Sequence, residues 1–361
     1  AQQVGSAEVI NGGSRREAIR RALELATPHD LVCLLGKGHE TGQQVGEEIL
    51  PFDDRTVAAE QWAHLSSDDI LEMSHEDNHI EQVARDIGGQ LVGDPRREVG
   101  PDVVIDSRKA CPGSLFVAFR GQRVDGHDFA DAAARSGAAA VLAEHVTDAD
   151  LPHVIVPDPQ QGLARLAASV VSQERSRGMI AIDLTGSSGK TSTKDLLAQV
   201  LEEEGPTVSP IGSFNNEIGV PLTACAVERD TAFLVSEMGA RGSGHISRLT
   251  NIVPPDVAMV LNVGTAHLGE FGSQDAIARA KGEILEALRP DCWAVLNAAD
   301  PRVAAMTERT GANVAWFGVG EEHRHPEAEI EVWATDLAAD DLDRYTFKIH
   351  LRIEDGTVLI G

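Results

Sequence analysis

The chain has 361 residues, of which 42% are hydrophobic and 24% charged, as in ordinary globular proteins. Acidic residues outnumber basic ones by 57 to 31. The resulting net charge of -26 argues against a general nucleic-acid binder, because phosphate backbones require clustered Lys and Arg. At roughly 100–200 residues per domain, the length predicts two or three domains, each large enough to bury a core.

The cysteines are widely spaced, at Cys33, Cys111, Cys225 and Cys292. No two of them form a CxxC pair, so neither a zinc knuckle nor a disulfide framework is indicated, and we expect reduced thiols in a cytoplasm. The sequence contains no signal-peptide pattern and no apolar run of transmembrane length. Because the chain begins with Ala1 and not with Met, we expect it to be a piece of a longer polypeptide.

Residues 1–60 predict a short α/β segment that is too small to be a complete domain. Apolar residues recur at helical spacing over residues 15–26, and residues 31–35 read as a compact apolar strand. Residues 61–78 are polar and charged, which is typical of a linker.

Residues 79–178 alternate strands with helices and predict a small α/β domain. We expect strands at residues 103–105, 115–119 and 139–143, and helices at residues 129–136 and 160–175.

Residues 179–361 repeat this alternation with stronger strands, which is typical of a doubly wound parallel sheet. We expect strands at residues 179–184, 232–237, 257–263 and 294–297, and helices at residues 191–204 and 276–288. Residues 321–361 read as a β-rich extension, with alternation over residues 345–351.

A glycine-rich loop is the strongest local signal. It reads Thr185-Gly186-Ser187-Ser188-Gly189-Lys190-Thr191-Ser192, after an apolar strand and before a helix, as a phosphate-binding loop requires. Backbone N–H groups and the helix N-terminus would bind phosphate oxygens, Lys190 would reach the β- and γ-phosphates, and Thr191 would bind Mg²⁺. Only two residues separate Gly186 from Gly189, where four are usual, so a plain glycine-rich turn is the alternative.

Polar residues also stand at the ends of the other expected strands. The four strand ends are Thr185, Glu237, Asn262 and Asn297. Because the carboxyl ends of parallel strands face one crevice, we expect these residues to meet along one edge of the sheet. Glu237 could hold Mg²⁺ there, although a single glutamate at a strand end is more often a solvated surface residue.

Two further residues, taken alone, have ordinary explanations. His267 lies just past a strand end, where a structural hydrogen-bonding histidine is the common case. Lys281 lies inside an expected helix and would by itself be read as a solvated lysine. Asn297, similarly, could be no more than a turn residue.

Five motifs nevertheless occur in the order found in the Mur ligase family, which the chain resembles over residues 79–361. They are the phosphate loop, Asn215-Asn216-Glu217-Ile218-Gly219-Val220-Pro221, Glu237-Met238-Gly239, residues 264–267 and Lys281-Gly282-Glu283. The short phosphate loop is normal in this family. The resemblance implies a UDP-substrate-binding domain at residues 79–178 and an ATP-binding central domain at residues 179–361.

Within the family, three segments resemble one particular ligase. They are Ser187-Ser188, the Asn215-Asn216 segment and Asp106-Ser107-Arg108. That ligase joins D-alanyl-D-alanine to UDP-N-acetylmuramoyl-tripeptide through an acyl phosphate, in the synthesis of peptidoglycan precursors. The resemblance therefore implies these two substrates, with ATP and two Mg²⁺ ions as cofactors.

The resemblance also implies roles for individual residues. Thr191 and Glu237 would hold the Mg²⁺ that bridges ATP, His267 would help to hold the second ion, and Lys281 would become a metal-binding carboxylate by carbamylation. The ATP-binding set would be Gly186, Ser187, Ser188, Gly189, Lys190, Thr191, Ser192 and Asn297, with Lys190, His267 and Lys281 catalytic and Ser107, Arg108, Asn215 and Asn216 binding substrate. One departure is Ala299, where the family often has Asp.

Residues 1–60 resemble the C-terminal tail of the preceding ligase of the family, MurE, through Gly36-Lys37-Gly38-His39-Glu40-Thr41. A fusion with MurE and a gene-model artefact that joins neighbouring genes are both open. The third domain of such ligases is not recognised in this chain, so we expect the 361-residue piece alone to have little or no ligase activity.

Three other functions remain as alternatives. A folylpolyglutamate-synthetase type of ligase shares the ATP core, but residues 101–143 resemble a UDP-substrate domain and argue against it. A P-loop kinase would transfer phosphate and form no amide. An inactive remnant or interaction module would keep the fold alone.

Overall fold

The computed structural model describes residues 42–45, 48–51, 79–121, 124–266, 268–341, 344–353 and 356–360. β1 (Gly42–Val45) and β2 (Glu48–Pro51) form an antiparallel hairpin. The helix expected at residues 15–26, the strand expected at residues 31–35 and the linker at residues 61–78 lie outside the described residues. Among the helices described, none is both long enough and apolar enough to cross a membrane.

A smaller sheet of five strands occupies the region after residue 79, in the order β3-β7-β6-β5-β4. Its elements are α1 (Ile80–Ile87), β3 (Gln90–Val92), β4 (Val103–Val104), β5 (Leu115–Val117), α2 (Ala130–Arg135), β6 (Ala140–Ala143), β7 (His153–Ile155) and α3 (Pro159–Ser176). β4 to β7 run parallel, and β3 pairs antiparallel with β7 at the edge. All residues of β5 and β6 are buried and apolar, as expected for parallel strands covered on both faces.

A larger sheet has nine strands in the order β16-β15-β14-β13-β12-β11-β8-β10-β9. Its strands are β8 (Ile180–Thr185), β9 (Thr207–Val208), β10 (Phe233–Glu237), β11 (Val257–Val260), β12 (Trp293–Asn297), β13 (Asn313–Val319), β14 (Ile330–Ala339), β15 (Tyr345–Ile353) and β16 (Gly356–Ile360). The helices between them are α4 (Lys190–Glu202), α5 (Gly219–Cys225), α6 (His245–Thr250), α7 (Leu268–Phe271), α8 (Gln274–Glu286) and α9 (Pro301–Ala304). Neighbouring strands from β9 to β14 are parallel, whereas β15 and β16 add antiparallel pairs. The expected mixed α/β class with parallel sheets is confirmed.

The direction of winding in the larger sheet reverses around β8. After β8 the chain moves outward to β9 and returns to β10, and it then crosses to β11 on the other side of β8. A ligand binds outside the carboxyl ends of the strands at such a reversal, because the connections leave in opposite directions and open a crevice. The phosphate loop begins at the carboxyl end of β8, so it lies at this point of the sheet.

Two expected elements differ in their bounds for identifiable reasons. The helix expected at residues 129–136 begins with a 3-10 turn, because Asp125 Oδ1 accepts a hydrogen bond from the His127 N–H at 3.0 Å. The strand expected at residues 257–263 ends at Val260. Beyond it the Asn262 carbonyl accepts a hydrogen bond from the Ser187 N–H at 3.1 Å, and the Val263 N–H donates to Asp300 Oδ2 at 2.7 Å, so this backbone contacts the phosphate loop and the turn after β12 without continuing the strand.

Candidate nucleotide site

The phosphate loop is shaped by one asparagine from the neighbouring strand end. The Oδ1 atom of Asn262 accepts hydrogen bonds from the N–H groups of Ser187 and Ser188, both at 3.0 Å. Its Nδ2 atom donates to the Ser188 carbonyl at 3.1 Å. Gly189 has φ +78, a left-handed conformation that glycine adopts without steric cost, and it turns the chain into α4. The expected loop between strand and helix is therefore present, and Asn262 fixes its backbone.

Two lysine ammonium groups converge on a single carbonyl of this loop. Lys190 Nζ donates to the Gly186 oxygen at 2.9 Å, and Lys281 Nζ donates to the same oxygen at 2.8 Å. Lys281 is only 6% exposed. Burial lowers the pKa of Lys281 to about 8, and the charge of Lys190 acts in the same direction. Two cations held together in this way form a local positive site within a strongly acidic chain, and an anion would relieve their repulsion.

A hydroxyl and a carboxylate meet beside the two lysines. Thr191 Oγ1 donates to Oε2 of Glu237 at 2.9 Å, and Asn215 Nδ2 donates to Oε1 of the same carboxylate at 2.7 Å. Glu237 ends β10 and is 1% exposed. This carboxylate is therefore oriented by one side chain from α4 and by one from the loop that precedes α5.

These donors fit a magnesium ion better than a softer metal. Mg²⁺ prefers oxygen ligands and is usually held by one or two carboxylates together with phosphate oxygens and water. Over the described ranges, no cluster of three or more His, Cys, Asp or Glu side chains could hold a metal by itself. Thr191 and Glu237 supply two such oxygens, and a bound nucleotide would have to supply others. His267 lies outside the described residues.

Asn297 lies at the end of β12 and bonds to two backbone groups. Its Nδ2 atom donates to the Leu261 carbonyl at 2.8 Å, and its Oδ1 atom accepts from the Ala299 N–H at 2.9 Å. Asp300 links the same two strand ends, because its Oδ2 atom accepts from the Val263 N–H at 2.7 Å. Sequence reasoning did not select Asp300, although an Asp before Pro301 is a recognisable helix-start signal.

Glu283 is a second residue that sequence reasoning did not assign. Its carboxylate accepts hydrogen bonds from the Gly244 N–H at 2.7 Å, the Ser243 hydroxyl at 3.1 Å and both the N–H and the hydroxyl of Ser247. These groups belong to the connection that follows Glu237-Met238-Gly239 and to the first turn of α6. Glu283 therefore fixes this connection from α8, the helix that also carries Lys281.

The expected substrate-binding residues occupy two separate places. Ser107 and Arg108 lie in a 3-10 turn after β4, where the Arg108 guanidinium forms two hydrogen bonds to Asp106 at 2.9 and 2.7 Å. This guanidinium lowers the pKa of Asp106 to about 2. Asn215 belongs to the Glu237 cluster, whereas Asn216 Oδ1 accepts from the Gly219 N–H at 2.8 Å at the start of α5.

Comparison with known proteins identifies the fold and its family. Residues 102–179 match the catalytic domain described for the Mur ligase family, and residues 184–356 match the Mur ligase middle domain. A UDP-N-acetylmuramoyl-tripeptide--D-alanyl-D-alanine ligase from Mycobacterium leprae (strain TN) is 42% identical over 303 residues, which cover 76% of this chain and 58% of that protein. The ligase of the same name from Escherichia coli (strain K12) is 40% identical over 220 residues, which cover 61% of this chain and 47% of that protein.

Solved structures give the same result. A crystal structure of MurF from Acinetobacter baumannii superposes with a TM-score of 0.67 at 31% identity, over 78% of this chain and 59% of that one. MurF from Thermotoga maritima in complex with ADP superposes with a TM-score of 0.59 at 32% identity, over 72% of this chain and 57% of that one. The chain thus spans less than two thirds of the length of these relatives. The matched segments contain most strands of the five-stranded and nine-stranded sheets, and the chain belongs to the Mur ligase family.

Proposed function

We propose that this chain supplies the UDP-substrate-binding and ATP-binding parts of an enzyme that joins D-alanyl-D-alanine to UDP-N-acetylmuramoyl-tripeptide. Similar proteins from M. leprae and E. coli bear that activity in their names. The observation that carries the proposal is the meeting of Lys190 and Lys281 on the Gly186 carbonyl, beside the pair of Thr191 and Glu237. Positive charge and oxygen ligands are thereby combined at one phosphate loop.

The reaction would proceed in two steps. The terminal carboxylate of the tripeptide attacks the γ-phosphorus of ATP, so that a carboxyl–phosphate bond forms and ADP leaves. The amine of D-alanyl-D-alanine then attacks the activated carbonyl carbon, loses a proton and displaces phosphate. Because carboxylate and ATP are both anionic, the first step requires neutralisation of charge, and the Lys190 ammonium is placed at the loop that would hold the phosphates.

Thr191 and Glu237 are the residues that would hold one Mg²⁺, and His267 would help to hold a second ion. Bound Mg²⁺ would withdraw negative charge from the phosphate oxygens. The contribution of the chain is to keep the Thr191 hydroxyl and the Glu237 carboxylate within 2.9 Å of each other before the nucleotide arrives. Asn297, between the ends of β11 and β12, would contact the adenine.

Lys281 would act in a carbamylated form. Burial favours its neutral amine, which is the form that attacks CO₂; an N–C bond forms, a proton is released, and the cation becomes a carboxylate. That change would remove the repulsion between Lys281 and Lys190 and add an oxygen ligand at the phosphate loop.

Residues 79–178 would bind the UDP-sugar through Ser107 and Arg108, with Arg108 contacting its anionic part. Arg108 is 87% exposed at its side chain and is paired only locally with Asp106, so its guanidinium is accessible to a phosphate. Asn215 and Asn216 would lie on the substrate side of the ATP site. Residues 1–60 would derive from the C-terminal part of MurE, joined to this ligase either in one cytoplasmic polypeptide or by a gene model that merges neighbouring genes.

Product analysis tests the proposed function. The full-length ligase that contains this chain is incubated with ATP, Mg²⁺, the UDP-linked tripeptide and D-alanyl-D-alanine, and ADP, free phosphate and the amide product are quantified. We expect free phosphate to appear only when both substrates are present. The decisive result is that release of free phosphate depends on both substrates, so even a slow rate of turnover is enough for the test. A stable phosphorylated product, with no amide formed, would indicate a kinase. Turnover with a folyl substrate in place of the UDP-linked tripeptide would indicate a ligase of the folylpolyglutamate-synthetase type.

A further inference from the structure

Lys194 is a fully buried lysine that the proposed reaction does not use. It lies in the second turn of α4 and is 2% exposed, although lysine is almost never buried without a partner. Its Nζ atom donates to the Pro210 carbonyl at 2.7 Å and forms an ion pair with Asp195. Burying an ammonium group is costly, and these contacts offset part of that cost.

The contact with Pro210 anchors one end of a loop that has few other contacts. Pro210 is buried, whereas residues 211–214 are all exposed, and Ile211 is 88% exposed. Gly212 in the middle of this loop has φ +66. Because the exposed residues bury little surface, the position of the loop depends on its two ends.

The other end of the loop is Asn215, which orients Glu237. Asn215 Nδ2 donates to the Glu237 carboxylate at 2.7 Å, and the Asn215 carbonyl accepts from the Gly239 N–H at 2.8 Å. A Cβ atom on Gly239 would lie 2.8 Å from Asn215 Oδ1, so the two residues are in close contact. A displacement of residues 210–214 would therefore move the amide that holds Glu237.

We propose that Lys194 is a positioning residue, which fixes Pro210 and thereby places Asn215 and the Glu237 carboxylate for Mg²⁺-dependent ATP binding. The inference rests on the proposed function. It links the helix that begins at the phosphate loop with the loop that carries Asn215, because α4 supplies both Thr191 and Lys194. A role confined to folding would leave the Mg²⁺ dependence of nucleotide binding unchanged.

The experiment measures binding of a fluorescent ATP analogue while Mg²⁺ is titrated. In Lys194→Met, we expect the Mg²⁺ concentration at half-maximal binding to rise about fivefold to thirtyfold, with binding in the absence of Mg²⁺ unchanged. Asn215→Ala should show a similar rise. Because both changes act on one chain of contacts, the double variant should exceed the larger single effect by no more than about twofold. Lys348→Met removes an exposed lysine on β15 and is the matched control, which should behave like the unaltered chain.

An unchanged Mg²⁺ midpoint in Lys194→Met, or effects of Lys194→Met and Asn215→Ala that multiply in the double variant, would overturn the inference. If Lys194→Met does not fold, Lys194→Gln takes its place with the same expected rise, because the shorter amide does not reach the Pro210 carbonyl. Failure of the proposed function gives a different result: the unaltered chain then shows no Mg²⁺-dependent ATP binding, and both proposals fall.

Discussion

The Thr191 hydroxyl donates a hydrogen bond to Glu237 Oε2 at 2.9 Å, joining the first turn of α4 to the end of β10. These residues are far apart in sequence, and the contact exists because β8 and β10 are parallel neighbours whose carboxyl ends coincide. It places a hydroxyl and a buried carboxylate where the phosphate loop begins. The first two predictions concern this edge of the sheet.

Thr191→Val removes the hydroxyl while nearly keeping the shape of the side chain. We expect Mg²⁺-dependent affinity for ATP to fall roughly tenfold to hundredfold, because a hydrogen bond to a charged group is worth about 1.5–3 kcal/mol. Thr191→Ser keeps the hydroxyl and should stay close to the unaltered chain. The affinity of both variants is measured by titration with a fluorescent ATP analogue, with and without Mg²⁺. Equal affinities of Thr191→Val and Thr191→Ser would show that the hydroxyl does not contribute to Mg²⁺-dependent binding.

In the full-length ligase, Lys190→Ala should abolish ATP turnover, with a loss of at least about 100-fold, because the Lys190 ammonium at the phosphate loop would neutralise charge on the phosphates in the first step. ADP formation in the complete reaction mixture is the measurement, and Lys348→Ala serves as the control. Turnover within about threefold of the unaltered chain would exclude Lys190 from the mechanism.

Lys281→Ala should lose activity and regain part of it when a short carboxylate such as formate or acetate is added. The added anion would replace the carbamate in the space that the side chain leaves. Arg279→Ala, on the same helix, should show no such rescue. ADP formation at saturating ATP and Mg²⁺ is the readout, and the absence of rescue would count against the carbamate.

We predict that the buried carboxyl group of Asp183 makes the folded protein less stable as the pH rises. It is fully buried in β8 opposite Ser236, and neither of its oxygens has a hydrogen-bond partner in the described part of the chain. The charges that act on it are those of Arg175 and Asp256. Burial raises the pKa of Asp183 well above its usual range. The folded state therefore keeps a proton that the unfolded chain releases near pH 4, and stability is lost as the pH rises from there to the folded pKa.

The free energy of unfolding should fall by up to about 1.4 kcal/mol per pH unit within that window. Asp183→Asn cannot ionise and should lose this slope, whereas Asp230→Asn at an exposed position should retain it. Urea unfolding between pH 4 and 8 measures the slopes. Parallel curves for the unaltered chain and Asp183→Asn would show that Asp183 does not keep its proton.

The expected strands and helices were found where the apolar pattern was strong and continuous. Ile180–Thr185 and Phe233–Glu237 lie within one or two residues of the expected strands, since buried parallel strands read as apolar runs. The apolar pattern predicted that β11 continues to residue 263, whereas the strand ends three residues earlier, at Val260. Leu261 and Val263 are apolar like the strand, but the Asn262 carbonyl bonds to Ser187 and the Val263 N–H bonds to Asp300, which no local pattern shows.

The site was predictable in part. Lys190, Thr191 and Glu237 could be selected from the sequence because they stand at a strand end or begin a helix, whereas Lys281, inside α8, was selected through the family resemblance. The structure brings these four residues together. Their chemical roles remain predictions, as does the division of the chain at residues 178 and 179. The sequence did not predict the contacts of Lys194, Glu283 and Asp300, because each side chain bonds to a carbonyl or N–H group that is distant in sequence.

The sequence alone determined that a glycine-rich loop joins a strand to a helix, because backbone conformation and apolar periodicity act over a few neighbouring residues. Tertiary structure decided which strands flank β8, and therefore that Asn262 shapes the loop, that Asn215 orients Glu237 and that two lysines share the Gly186 carbonyl. These contacts arise from the order of strands in the sheet. That order is set by packing of the whole chain and not by any single segment of it.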